Sequence, residues 1–315
     1  MRALASPASL KGVLSAREAA AVLAEGLCRG GADAEELPLA DGGEGTADVL
    51  GARVRERVRV HDAFGRPREA PIRELAEGTA LVESAEVIPL DPERLDPFNA
   101  SSRGLGELIG RVRAQRLLVC LGGTANVDGG AGLLAELDAL PPPTTVLCDA
   151  LVPLVDAARR FAAQKGASSE QAVLLERRLL AEERLRPYAD LPGAGAAGGL
   201  GAALASLGAE LIPGARHVLE LLRFRDRVRE ADLVVTGEGM VDATSFTGKV
   251  VGRVLDRAQD AGIEALVVAG DVASGSRIDA LSLVARYGPE RALAEPAECL
   301  MELVETALAA GRNGP

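Results

Sequence analysis

The sequence predicts an α/β protein of two α/β domains, one Rossmann-like with a mostly parallel sheet, the other inserted and richer in β-structure. Three observations carry that prediction. Short Val/Leu runs alternate with Ala/Leu-rich helical segments towards both ends of the chain, Gly-rich turns join strand to helix, and a stretch of hairpin character interrupts the alternation after residue 52. The expected division is residues 1–52 with 218–315 for the Rossmann-like domain and 53–217 for the inserted one.

In chain order, Ala3–Ala5 reads as a short strand and Lys11-Gly12 as a turn. Ser15 followed by Glu18 is a capping box that starts an Ala/Leu helix ending at Gly30-Gly31. Glu36–Ala40 is expected as a second strand. Val54, Val58 and Val60 alternate with charged residues before the turn Phe64-Gly65-Arg66-Pro67, so 53–88 is expected to be hairpins. A helix over 104–113, a strand over 117–121, a helix over 129–137 and a strand over 145–148 follow. Ser169–Leu185 reads as a charged helix and 192–205 as a Gly/Ala-rich helical segment. Buried strands at 232–236 and 265–269 flank a helix over 248–261, and a last helix spans 299–309. Such layering places ligands outside the carboxyl ends of the strands.

Composition excludes several function classes. The 315 residues carry a net charge of −11 with 2% aromatic residues, which disfavours nucleic acid and anionic membranes as partners. Cys28, Cys120, Cys148 and Cys299 lack metal-ligand spacing and read as buried apolar residues in a reducing, cytoplasmic setting. There are 32 arginines against three lysines, Lys11, Lys165 and Lys249, each beside a glycine in an expected turn. A point charge there suits phosphate or carboxylate better than a planar fork does.

Asp-Gly-Gly-x-Gly occurs twice, at Asp41–Gly45 and Asp128–Gly132, each between an expected strand and helix. Such a turn is expected to offer free helix N–H groups to an anion, with the aspartate beside it. The bland reading is a pair of tight turns with capping carboxylates. Gly193, Gly195 and Gly198 match G-x-G-x-x-G, but no strand precedes them, so close packing competes with dinucleotide or phosphate contact. Thr236-Gly237-Glu238-Gly239, with Asp242 and Gly248-Lys249, puts two carboxylates and a lysine at one strand end, the parts of a metal-bridged phosphate site or else a solvated loop. His61 and His217 have no partner pattern, so proton abstraction falls to a carboxylate unless a metal-bound hydroxyl does that work; nucleophile elbows and Walker motifs are missing.

These ordered motifs together resemble the glycerate kinase family of the class I, glycerate 2-kinase type. The matching stretches are Ser9–Gly12, Ala40–Thr46, Gly104–Ile109, Gly122–Gly132, Gln164–Ala167, Pro192–Leu200 and Thr236–Lys249. Ala8 stands where the family usually has Asp, Val127 interrupts its Asn-Asp-Gly-Gly run, and Val152 replaces an Asn before Pro153-Leu154.

The resemblance implies transfer of the γ-phosphoryl group of ATP, with Mg²⁺, to a hydroxyl of a small hydroxy acid, D-glycerate foremost. In that reading Asp41, Asp128, Lys11 and Lys249 are the catalytic residues, and Ser9, Gly42, Gly43, Glu44, Thr124, Asn126 and Lys165 hold the substrate. Gly195, Gly198, Gly199, Gly237 and Gly239 line the nucleotide, and Glu238, Asp242 and Asp149 hold the metal. The alternatives are a non-catalytic paralogue that binds nucleotide or hydroxy acid, and an NAD-linked oxidoreductase. A homodimer is left open.

Overall fold

The computed structural model describes residues 1–10, 12–141, 143–274 and 279–312. The chain divides into two compact units, Met1–Ala40 with Val218–Pro315, and Asp41–His217. The first crossing lies ahead of the expected 52/53 position. Glu83, deep in the second unit, accepts hydrogen bonds from the Gly45 and Ala47 amides and so ties the segment after Ala40 to that unit.

The elements in chain order are β1 (Arg2–Ala5), α1 (Ala16–Arg29), β2 (Asp33–Glu36), α2 (Thr46–Val49), β3 (Arg53–His61), β4 (Pro67–Ala76) and β5 (Thr79–Glu83). Then come α3 (Ser84–Val87), α4 (Arg103–Ile109), β6 (Arg116–Leu121), α5 (Ala131–Glu136), β7 (Thr144–Cys148), α6 (Leu154–Phe161), α7 (Ser169–Ala181), α8 (Ala196–Ser206), β8 (Glu210–Pro213) and α9 (Gly214–Leu221). The chain closes with α10 (Phe224–Arg229), β9 (Leu233–Val241), α11 (Val250–Ala261), β10 (Glu264–Val272), β11 (Leu281–Ser282), α12 (Leu283–Tyr287), α13 (Pro289–Ala294) and α14 (Pro296–Arg312).

In the first unit five parallel strands run in the order β11-β10-β9-β1-β2. The Ser15/Glu18 capping box starts α1 as expected. That helix buries Leu23 and Leu27 together with Leu300, Leu303 and Val304 of α14, each such side chain stabilising by about 1.5–3 kcal/mol. The direction of strand addition reverses between β1 and β9. In parallel sheets this switch point is where a crevice for ligand opens at the carboxyl ends.

In the second unit the order is β3-β4-β5-β6-β7-β8, antiparallel over β3–β5 and parallel over β5–β8. Ile72, Val82, Leu105, Ile109, Val119, Leu121, Val146, Leu200 and Leu204 share its core.

Three local expectations are corrected. The strand beside β1 is Asp33–Glu36, not Glu36–Ala40, because β2 is an edge strand whose charged residues face water. The helix expected over 104–113 ends at Ile109, where Gly110 caps it. Cys28 is exposed, whereas Cys120, Cys148 and Cys299 are buried, and all four are free thiols. Among the described residues no helix is long and apolar enough to cross a membrane.

Candidate active site

In the second unit the two Asp-Gly-Gly-x-Gly turns adopt different chemistry. The Asp128 carboxylate is saturated: it accepts Ser102 N at 2.8 Å, Ser102 Oγ at 2.7 Å, Asn126 Nδ2 at 2.8 Å, Gly130 N at 3.0 Å and Gly132 N at 3.2 Å. It therefore caps α5 and ties it to the start of α4. The N–H groups expected to meet an anion are taken by the protein's own carboxylate, and Asp128 is poorly placed to accept a substrate proton.

Asp41 is different. Among the described residues its only hydrogen bond comes from Gly43 N, at 3.2 Å. The cap of α2 comes from elsewhere: Gly45, at φ +84°, has no side chain to offer, and Glu83 accepts Gly45 N at 3.1 Å and Ala47 N at 2.5 Å. The N–H groups of this turn, too, are engaged internally, but Asp41 keeps acceptor capacity. Glu44 is exposed beside Gly123, where a Cβ would stand 3.0 Å from its Oε2. Gly42 packs on Gly214 and Leu147, and Gly43 on Gly122 and Asp149, so the turn lies over the carboxyl ends of β6, β7 and β8.

Lys165, after α6, is 4% exposed. Its Nζ donates to Asn126 O at 2.7 Å and to Thr124 Oγ1 at 3.3 Å, so the structure brings together Thr124, Asn126 and Lys165. Burial lowers this ammonium to about 8 against the attraction of Asp149 and Asp128. Between about 8 and 10.5 the unfolded chain therefore binds more protons than the folded one, and stability from this group rises with pH across that window. Asn126 is fully buried; its Nδ2 also donates to Ala197 O at 3.2 Å, while among the described residues its Oδ1 has no partner.

The residues assigned to the first unit gather at the β1/β9 switch point and just beyond. Ser6 N donates to Val235 O at 2.7 Å, Ala8 N to Gly237 O at 2.8 Å, and Thr236 Oγ1 to Ser6 O at 2.8 Å. Ser9 is half-buried immediately after this ladder. Lys11 lies outside the described residues. Gly237 permits close strand packing, since a Cβ there would meet Val268 O at 2.1 Å, and Gly239 lies against Gly270. Asp242 starts the turn Ala243–Phe246, accepting Thr244 N at 2.7 Å and Thr244 Oγ1 at 2.6 Å. The Thr244 hydroxyl bond above all, and the nearby Lys249 ammonium among other contributions, hold its carboxyl below the usual range. Lys249 is the N-cap residue of α11. Glu238 is half-buried on β9 of this unit, and Asp149 belongs to the other unit.

Two findings from comparison with known proteins decide the family. The sequence profile of the Glycerate kinase family matches residues 3–140 and 142–309. The chain belongs to the glycerate kinase family. Glycerate 2-kinase of Escherichia coli is 35% identical over 79% of this chain and 80% of its own. Glycerate kinase of Bacillus subtilis is 33% identical over 88% and 86% respectively. A crystal structure from Salmonella typhimurium LT2, provisionally assigned as glycerate kinase 2, superposes with a TM-score of 0.73 at 28% identity, covering 99% of this chain and 98% of that one.

In this family member three of the glycines assigned to nucleotide contact, Gly195, Gly198 and Gly199, pack closely against the protein itself. A Cβ would stand 2.5 Å from Pro153 O on Gly195, 2.1 Å from Asn126 O on Gly198, and 2.8 Å from Gly129 Cα on Gly199. All three are buried, and the segment before them is a 3₁₀ turn, not a strand, so the dinucleotide reading loses its cradle. Two of the substitutions that suggested a non-catalytic paralogue also change meaning. Val127 is fully buried among Leu154, Leu175 and Leu179, and Val152 is buried beside Gly195, so both act in packing. Sequence reasoning missed Glu83 and Ser102. An acid ending the buried run Thr79-Ala80-Leu81-Val82 was the available signal for Glu83; Ser102 had none.

Proposed function

We propose that the protein transfers the γ-phosphoryl group of ATP to a hydroxyl of a small hydroxy acid, D-glycerate foremost. The observation that carries this reading is the family match through nearly the whole chain, with relatives named glycerate kinase. Phosphoryl transfer is mainly positioning and charge neutralisation. Asp41, with acceptor capacity left over and carried on a turn above three strand ends, is suited to orient the acceptor hydroxyl and take its proton. Glu44 and Gly43 accompany it.

Lys165, beside Thr124 and Asn126, supplies a low-dielectric positive charge for the substrate's carboxylate or phosphate. Lys249, Lys11, Ser9 and Gly239 are assigned to the phosphate end. Within the first unit Glu238 and Asp242 offer Mg²⁺ hard oxygen donors, and within the second Asp149 offers one. An ion of this kind is usually held through one or two carboxylates together with the phosphates themselves. When bound, the ion neutralises charge on the transferring group.

A coupled assay with ATP and a panel of hydroxy acids, with ³¹P NMR of the product, tests the proposal. Turnover of glycerate to a phosphoglycerate is expected; no turnover of any acceptor at micromolar enzyme overturns it. Lys249→Ala and Lys11→Ala should each cost at least tenfold in kcat with little loss of stability, and wild-type rates in either would remove that lysine from the assignment.

A further inference from the structure

The Asp41–Gly45 turn does not hold itself. Gly45 stands at the N-cap of α2 with a left-handed backbone and no side chain, and among the described residues the hydroxyl of buried Thr46 has no partner. The group that closes this end lies 38 residues away: Glu83, last residue of β5, gives one carboxylate oxygen to Gly45 N and the other to Ala47 N. It is 4% exposed.

A neutral cap would satisfy one of these amides at far lower desolvation cost. Only an ionised carboxylate offers two full acceptors in a fork, and an anion binds amides more strongly than a neutral acid does. Among the described residues no cation pairs with Glu83 directly. Arg73 of β4 is close enough to be felt, but its guanidinium is committed to Glu86 of α3 at 2.5 Å. Cys120 of β6, its register partner, carries a thiol pushed well up by burial and so stays neutral. Glu86, the partner of Arg73, adds negative charge beside Glu83.

We propose that Glu83 is the positioning residue of the Asp41–Gly45 turn, its two carboxylate oxygens fixing the backbone that presents Asp41 and Glu44 to the acceptor. The turnover part of this proposal rests on the kinase reading above; the positioning part does not. Burial pushes the Glu83 carboxyl up to about 7 against the pull of the two amides. From about 4.5 to 7 the folded protein therefore holds a proton that the unfolded chain releases, and the stability this gives is lost as pH rises through that window. The two amide bonds strengthen over the same window, since their acceptor becomes charged.

The test is amide hydrogen exchange over residues 41–50, corrected for intrinsic rate, in the wild-type protein from pH 6 to 8 and in Glu83→Gln, alongside kcat and both KM values. Protection should rise with pH in the wild type. In Glu83→Gln it should fall at least tenfold and lose its pH dependence, with kcat down at least tenfold and the ATP KM changed less than twofold. Wild-type protection that does not rise with pH overturns the proposal even if the variant fails to fold. Altered exchange with unchanged kcat overturns the catalytic part. A wild type inactive on every hydroxy acid would sink the kinase reading while the exchange data still decide the role of Glu83.

Discussion

The two Asp-Gly-Gly-x-Gly turns of the second unit share five-residue spacing and diverge in what their aspartates do. Asp128 spends both oxygens on five donors and caps its own helix; Asp41 spends one oxygen on one donor, and a glutamate from another strand caps its helix. Repetition of a motif therefore did not mean repetition of a site. What separates a structural from a reactive carboxylate is how many protein donors already occupy it, and that depends on distant residues, Ser102 and Glu83, that local sequence does not reveal.

The sharpest way to break this comparison is to neutralise each aspartate. Asp41→Asn should lower kcat by at least about a hundredfold, the usual scale for losing a general base, while the unfolding midpoint in denaturant stays near wild type. Asp128→Ala should do the reverse. It orphans buried donors of Ser102, Asn126 and Gly130, so a loss of about 3–5 kcal/mol of stability is expected, read by denaturant unfolding. If Asp41→Asn unfolds the protein and Asp128→Ala leaves it stable but inactive, the two roles are interchanged.

The next largest effect probes the backbone of the structural turn. Gly130 has φ +74°, and a Cβ there would stand 2.3 Å from the Ala203 Cβ. Gly130→Ala combines left-handed strain with a collision and should cost about 2–4 kcal/mol in the same unfolding measurement.

Lys165 senses both turns, since Asp128 and Asp149, which packs on Gly43, each favour its charged form. If its ammonium holds the substrate carboxylate, KM for the hydroxy acid should be flat below about pH 8 and rise up to tenfold per pH unit above it. Lys165→Met should raise KM at neutral pH and remove the pH dependence. Asp128→Asn should move the wild-type break to lower pH, because a charge that favours the protonated lysine is gone. A break that stays put would show that burial and Asp149 set it without Asp128.

Much of this was legible in the sequence, for identifiable reasons. Strands with buried apolar runs, such as Leu117–Leu121, and the Ser15/Glu18 capping box announce themselves because local pattern and final environment agree. The edge strand Asp33–Glu36 hid behind its charges, while apolar Leu37 and Leu39 proved to be buried loop residues. The glycines at 195, 198 and 199 looked like phosphate fingers because a close approach to the protein's own backbone demands the same missing Cβ as a close approach to a ligand. Thr124, Asn126 and Lys165 were named for the substrate site through the family resemblance, since no local pattern links residues 39–41 positions apart.

The smallest predicted effect separates strain from collision at the two turns. Gly45, like Gly130, has a left-handed backbone at φ +84°, but a Cβ built on it meets nothing within 4 Å. Gly45→Ala should therefore cost only the conformational penalty, about 1–2 kcal/mol, well below that of Gly130→Ala. Gly45→Asn should cost less still, because Asn tolerates this region. Because Gly45 N also donates to Glu83, a change in its backbone should reach the amide protection of 41–50 before it reaches global stability. If Gly45→Ala is as costly as Gly130→Ala, the turn carrying Asp41 is as tightly packed as its twin, and the distinction between a held turn and a presented one fails.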